Sequence, residues 1–161
     1  MAALQPLSTV HYGNFIVPAS AKADVDTAFS YLSRDSVERS LIDKLENGSR
    51  TYRLVVIHDG NDEFDPADNT IHWDPHSALR TTDGGTQSPA LGLGHEIDHA
   101  VEDPATGEKL SNIYDPQYDN AEEKRVITGS ETHAAKTLGE AIRHDHGGTV
   151  FEVKSPIDRR S

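Results

Sequence analysis

Apolar positions along this chain recur at two periods, and the switches between them divide it into elements. Residues 10 to 17, with Tyr12, Phe15, Ile16 and Val17, predict a first strand that stops at Pro18. From 20 to 34 the spacing of Val25, Ala28, Phe29 and Leu32 is that of one helix face. Asp35-Ser36-Val37-Glu38 has the form of a capping box and opens a second helix, with Val37, Leu41, Ile42 and Leu45 inward and Asn47-Gly48 at its end. Residues 51 to 58 are β-branched and aromatic and predict a strand, residues 59 to 62 a turn, and residues 70 to 73 a shorter strand stopped by Asp74-Pro75. Ser88-Pro89 is an N-cap followed by Pro at the first helical position, and Leu91, Ile97, Ala100 and Val101 continue it as an apolar stripe. Residues 102 to 119, punctuated by Asp103-Pro104, Gly107 and Asp115-Pro116, predict a loop long enough for a lid. A short helix then starts at Asn120 and breaks at Gly129-Ser130. Another runs from 131 to 144 with Ala134, Ala135, Leu138, Ala141 and Ile142 inward, up to Gly147-Gly148. A last strand over 149 to 153 and a frayed tail over 154 to 161 complete the chain.

This order predicts an α+β fold: one domain over 1–161, with N-terminal helices at about 20–48 and a core at about 50–153 that holds a small mixed or antiparallel sheet. Its 161 residues can bury a core, although an apolar content of 35% leaves much polar surface. The 27 acidic side chains against 15 basic ones give a net charge of −12, which repels phosphate backbones and anionic lipid and argues against nucleic acid as a partner. Acidic runs at 59–68 and 102–119 serve equally as solubilising surface or as an attractor for a basic substrate. The longest strongly apolar run is Leu54-Val55-Val56-Ile57, and the start, Met1 to Pro6, lacks a basic segment followed by an apolar one, so neither a membrane span nor a Sec signal is expected. Nothing calls for an obligate oligomer.

The candidate chemistry lies at His95-Glu96-Ile97-Asp98-His99. Residues four apart on a helix share a face, so His95 and His99 can offer imidazole nitrogens to one Zn²⁺ while Glu96 reaches a water beside it. The chain has no cysteine, so any metal must take nitrogen and oxygen ligands. Gly92 and Gly94 are poor helix formers, costing up to about 1 kcal/mol each relative to Ala, and so predict a second backbone packed closely on this helix, expected to be a strand. The strand at 70–73 is the candidate, as a sheet edge on which an extended peptide could pair. Asp98 is expected to face solvent.

A catalytic zinc needs a third protein ligand. Ala105 stands six residues after His99, where the elongated H-E-x-x-H-x-x-G-x-x-H pattern needs a histidine, and the next histidine is His133. The remaining candidates are Glu122, Glu123 and Glu131. Glu123 is the first choice and Glu122 the next, with the other acid of that pair orienting a histidine from behind. The competing role for Glu123 is structural, since Asn120 with Glu123 also fits a capping box. Donors for a developing oxyanion are sought among Tyr114, Arg143, His144 and His146, with Arg143 and His146 preferred. His72 and His76 are weaker candidates for substrate contact, and His58 and His133 receive no role.

Four stretches, 69–75 (NTIHWDP), 88–96 (SPALGLGHE), 122–129 (EEKRVITG) and 143–148 (RHDHGG), resemble the NleD-like zinc metalloprotease effectors that bacterial pathogens inject into host cells. The resemblance spans about residues 50 to 150 and leaves the N-terminal helices aside. It implies a zincin-like fold in which the sheet packs on the H-E-x-x-H helix, with His95 and His99 as zinc ligands, Glu96 as catalytic acid and base, and a downstream glutamate as third ligand. The pair Glu122-Glu123 is similar to the glutamate pair of clostridial neurotoxin light chains, where the second acid binds zinc, which favours Glu123. The expected function is a zinc endopeptidase in which Glu96 takes a proton from an activated water and returns it to the leaving nitrogen. It would cut a host protein bound as an extended peptide, after delivery by a dedicated non-Sec secretion system, with the bacterial cytoplasm as the alternative location. The competing readings are a non-catalytic interaction protein with a structural metal, and a hydrolase of a non-protein amide.

Overall fold

The computed structural model describes residues 8–160. The Met1 to Pro6 segment considered above lies outside them. The helical spacing of Val25, Ala28, Phe29 and Leu32 produces α1 (Lys22–Leu32), and all four side chains are buried. Asp35 caps α2 (Ser36–Asn47) by accepting the Glu38 amide at 3.0 Å. Only half of the expected capping box forms: the Glu38 side chain turns inward, where neither carboxylate oxygen finds a donor.

Strands β1 (Thr9–Tyr12), β2 (Phe15–Pro18), β3 (Tyr52–Val56), β4 (Glu63–Asp65) and β5 (Thr70–Trp73) form one mixed sheet in the order β1-β2-β3-β5-β4, so the protein is α+β. β3 runs parallel to both β2 and β5, whereas β1 and β4 are antiparallel additions at the two edges. Phe15, Val17, Leu54, Ile71 and Trp73 from the sheet meet Leu32 and Leu45 of the N-terminal helices and Leu93 and Ile97 of α3 (Pro89–Val101) in one core. Trp73 also donates its indole N–H to the Pro89 carbonyl at 2.8 Å, which fixes the start of α3 over β5. A second sheet, β6 (Ser77–Arg80), β7 (Thr86–Gln87) and β10 (Thr149–Glu152), is ordered β10-β6-β7. None of the helices among the described residues is long and apolar enough to cross a membrane.

Several expectations need correction. β5 is not a sheet edge, because Glu63-Phe64-Asp65 pairs antiparallel on its outer side and makes β4 the edge. β4 holds a single apolar residue, too few for an alternation to show, and the chain reverses before β5 through Asn69 at φ 55°. Residues 102–119 are not a bare loop. Asp103 caps α4 (Pro104–Ser111) by accepting the Thr106 amide at 3.0 Å, and β8 (Tyr114–Asp115) pairs with β9 (Asp119–Asn120). No residue of α4 is buried, so it carries no apolar stripe to read. The break expected at Gly129-Ser130 is present, since Gly129 has non-helical backbone (φ −100°, ψ −105°) in the wide turn Ile127–Glu131 that joins α5 (Ala121–Val126) to α6 (Thr132–Leu138). α6, however, stops six residues earlier than expected because Gly139 turns left-handed at φ 72°. Arg143 and His146 therefore lie on irregular chain. The described part of the tail, residues 154–160, is held at Pro156, which is buried and whose carbonyl accepts the Ala90 amide at 2.8 Å.

Candidate metal centre

Ser88 accepts the Leu91 amide at 3.2 Å, and Pro89 sits in the first turn of α3. One turn separates His95 from His99, and their Nε2 atoms lie 3.0 Å apart. The two glycines before them do face close neighbours, but these are side chains and not a strand backbone. A Cβ on Gly92 would stand 2.9 Å from Asp62 Oδ2, and one on Gly94 would stand 2.6 Å from Glu38 Oε2.

From α5, Glu123 places Oε2 3.0 Å from His95 Nε2 and Oε1 3.2 Å from His99 Nε2. The cap and ligand roles proposed for this segment turn out to be compatible: Asn120 accepts the Glu123 amide at 2.9 Å, and the Glu123 carboxylate stays free to face the histidines. Its Oε2 is buried. Two imidazole nitrogens and a carboxylate oxygen within 4.8 Å of one another form a group that can hold a metal ion.

Behind each histidine stands a glutamate backed by an arginine. His95 Nδ1 meets Glu131 Oε1 at 2.9 Å, and Arg143 donates Nε to Glu131 Oε2 at 2.9 Å. His99 Nδ1 meets Glu122 Oε2 at 2.9 Å, and Arg125 donates Nε to Glu122 Oε1 at 2.7 Å. With Nδ1 turned to a carboxylate, both histidines direct Nε2 to the space that Glu123 faces, where a bound cation would replace the Nε2 proton. Burial pulls both imidazoles toward the neutral form. Glu123 and Glu131 outweigh it and raise His95 to about 10, while Glu122 and Glu123 raise His99 to about 9. Burial pushes Glu123 up, but the two imidazoles hold it far below the usual carboxylate range. Burial likewise pushes Glu131 up, and His95 and Arg143 bring it down to about 2. The pocket thus favours positive charge among its carboxylates, as a cation site does.

Of the three acids weighed as third ligand, the structure brings only Glu123 to the Nε2 side, with Glu122 and Glu131 behind the rings. Arg143 stands behind His95, with Nη2 3.3 Å from Nδ1, and is engaged with Glu131. His146 reaches the centre: its Nε2 lies 3.3 Å from Glu123 Oε2, its ring stacks over His95 at 6.3 Å, and Asp119 holds its Nδ1. Tyr114 is 79% exposed and His144 is exposed, and neither lines the centre. His76 Nε2 faces Asp24 at 3.4 Å. His133 ties α6 to the start of α2 by bonding Asp35 at 2.6 Å. Asp98 does not face solvent: it is buried, accepts from Arg125 Nη1 at 2.8 Å, and also accepts the Ser130 hydroxyl. Sequence reasoning missed Arg125, whose only local sign is its spacing of three from Glu122 on one helix face.

Glu96 is 7% exposed, with Oε1 4.0 Å from His95 Nε2. Burial raises its pKa, and the two histidines offset this in part. It lies where two cavities meet. One, of about 960 Å³, opens between β4 and α4, the other, of about 280 Å³, lies toward β6 and β7, and Asp62, Glu96 and His146 line both. No protein-family model, curated protein or solved structure matches the chain.

Proposed function

We propose that the chain is a zinc-dependent endopeptidase with a zincin-like arrangement, related to the NleD-like effectors. The observation that carries this reading is the place of Glu96, a buried carboxylate beside the His95, His99 and Glu123 group that faces the junction of an open cleft. A purely structural metal site needs no such base and no such opening. Two imidazoles and one carboxylate, with no thiolate available in the chain, are a donor set that suits zinc, and a Glu123 carboxylate facing both Nε2 atoms suits a bound cation. When bound, zinc supplies the Lewis acidity that polarises a carbonyl and makes water acidic near neutral pH.

The remaining work falls to the chain's own groups. Glu131 and Glu122 hold the two imidazoles in one tautomer, so no reorientation is needed on binding. Glu96, with its pKa raised by burial, is suited to take a proton from the attacking water and pass it to the leaving amide nitrogen. His146, held through Nδ1 by Asp119, can as an imidazolium also present an Nε2 donor to the carbonyl oxygen as negative charge grows there. Arg143 acts through Glu131 and His95 as a positioning residue. The free edge of β4 lines the larger cavity, which suits a protein substrate lying there as an extended strand. Delivery into a host cell by a non-Sec secretion system belongs to the same proposal and rests on the resemblance of the four stretches, with action in the bacterial cytoplasm as the alternative.

The test compares wild type with Glu96→Gln. Both should hold one zinc per chain, and only wild type should generate new protein N-termini in a host-cell lysate. Equal cleavage by the two proteins would remove Glu96 from the chemistry. A wild type that holds no zinc would end the reading.

A further inference from the structure

The larger arm of the cleft has a defined chemistry that the proposed peptide bond hydrolysis does not use. One wall is β4 with the turn after it, contributing Glu63, Phe64 and Pro66, and the opposite wall is the start of α4, contributing Pro104 and Glu108. Glu102 lines the arm between α3 and α4. Besides His99 and His146 at its inner end, the basic side chain lining it is Arg50, which is already engaged: Nη2 donates to the Glu102 carbonyl at 3.0 Å, and the guanidinium lies over the Tyr52 ring at 5.4 Å. Glu63 and Glu108 are exposed, and among the described residues neither pairs with a cation. The arm is therefore open and negatively charged at its walls, and Phe64, Pro66 and Pro104 add apolar surface.

β4 is bonded to β5 on one side only, and Glu63 and Phe64 line the same cavity as the buried Glu96, so this edge strand runs beside the proposed reacting end of the cleft. A chain laid along it repeats its side chains on one face about every 6.6 Å, which brings a neighbouring residue of the substrate into the arm. A long side chain with an apolar stem and a cationic head matches these walls, with the stem against Phe64 and the prolines and the head between Glu63 and Glu108, since Glu102 is already paired with Arg125 at 3.2 Å. An acidic or phosphorylated side chain meets repulsion on both walls. Resting on the endopeptidase reading, we propose that the cleft selects an extended peptide carrying lysine or arginine beside the scissile bond, with Glu63 and Glu108 as its specificity-determining residues.

The experiment uses alanine-rich peptides that differ by one Lys, Glu or Leu at successive positions. Their cleavage by zinc-loaded wild type is measured, and the binding of fluorescein-labelled versions to zinc-loaded Glu96→Gln is measured by anisotropy. The Lys peptides should exceed the Glu peptides by about tenfold at one position in both assays, the sum expected of two exposed charge pairs. The double variant Glu63→Lys, Glu108→Lys should keep its zinc and reverse that order. Equal binding of Lys and Glu peptides, or a Lys preference that survives the charge reversal, overturns the inference. Lys-selective binding with no cleavage of any peptide by wild type upholds the charge selectivity of the cleft and counts against the peptidase reading, so the two failures are distinct.

Discussion

Asp98 and Arg125 join α3, which carries His95 and His99, to α5, which carries Glu123: Arg125 Nη1 donates to Asp98 Oδ1 at 2.8 Å. The same guanidinium holds both oxygens of Glu122, which in turn meets His99. The pair therefore sets how far Glu123 stands from the histidines. Asp98→Asn and Arg125→Met should each weaken zinc binding about 10- to 100-fold, as losing an outer support of a metal ligand does. The double variant should be little worse than either single one, because both remove the same brace. Competition with a chromophoric chelator measures this, and unchanged zinc affinity in Asp98→Asn would reduce the pair to a fold contact.

Glu123 and Glu122 are adjacent in sequence but face opposite sides of the site, which separates their variants. Glu123 meets both Nε2 atoms, whereas Glu122 meets only His99 Nδ1. Glu123→Ala should abolish stoichiometric zinc at micromolar free metal. Glu122→Ala should keep one zinc per chain with affinity lowered about 10- to 100-fold. Metal analysis after gel filtration reads the first result and chelator competition the second, and the reverse pattern would exchange the two roles.

What the sequence made legible is the part built from neighbours along the chain. The Ser88-Pro89 cap and the helical spacing of His95 and His99 are short-range features and appear as read; the Asn120 cap also forms, but it leaves the Glu123 side chain facing the histidines instead of competing for it. The outer supports were hidden because they join distant positions: Glu131 to His95 across 36 residues, Arg143 to His95 across 48, and Arg125 to Asp98 across 27. Periodicity carries no information on such pairings. β4 and α4, which form the walls of the cleft, bury one partly covered phenylalanine and nothing at all, respectively, and so left no apolar pattern. The glycines did signal close packing on α3, but only the fold reveals that Asp62 and Glu38 are the groups that approach.

Glu38 gives the metal-free protein a stability that depends on pH. It is 0% exposed with no hydrogen-bond donor on either oxygen, and burial, then Asp98 and Asp35, push its pKa up to about 8. A carboxyl whose folded pKa lies above its unfolded value of about 4.5 favours folding fully below the unfolded value and loses that contribution as pH rises toward 8. Glu38→Gln removes this dependence. In chelator, the variant should match wild type near pH 4.5 and exceed it at pH 8 by an amount on the order of a few kcal/mol. Urea denaturation at the two pH values measures the difference, and a gap that does not grow with pH would show that Glu38 is already neutral or already paired.

The same carboxylate decides the effect of a helix-favouring change at Gly94. Alanine there should gain about 1 kcal/mol of helix propensity. Its Cβ, however, would lie 2.6 Å from Glu38 Oε2 and 2.9 Å from Glu38 Cδ. The obstructing group is the end of a flexible side chain, yet it is fully buried, so it can give way only by moving α2 from α3 or by displacing its neighbours. Gly94→Ala should therefore destabilise the protein by a net of about 1 to 2 kcal/mol, the overpacking cost exceeding the propensity gain. Shortening the obstructing residue reverses the sign: in a Glu38→Ala background, Gly94→Ala should be neutral or stabilising, because only the propensity gain remains. A thermal or urea double-mutant cycle reads the coupling directly. If Gly94→Ala costs as much without the Glu38 side chain as with it, the glycine is required by the backbone of α3 and not by the carboxylate beside His95.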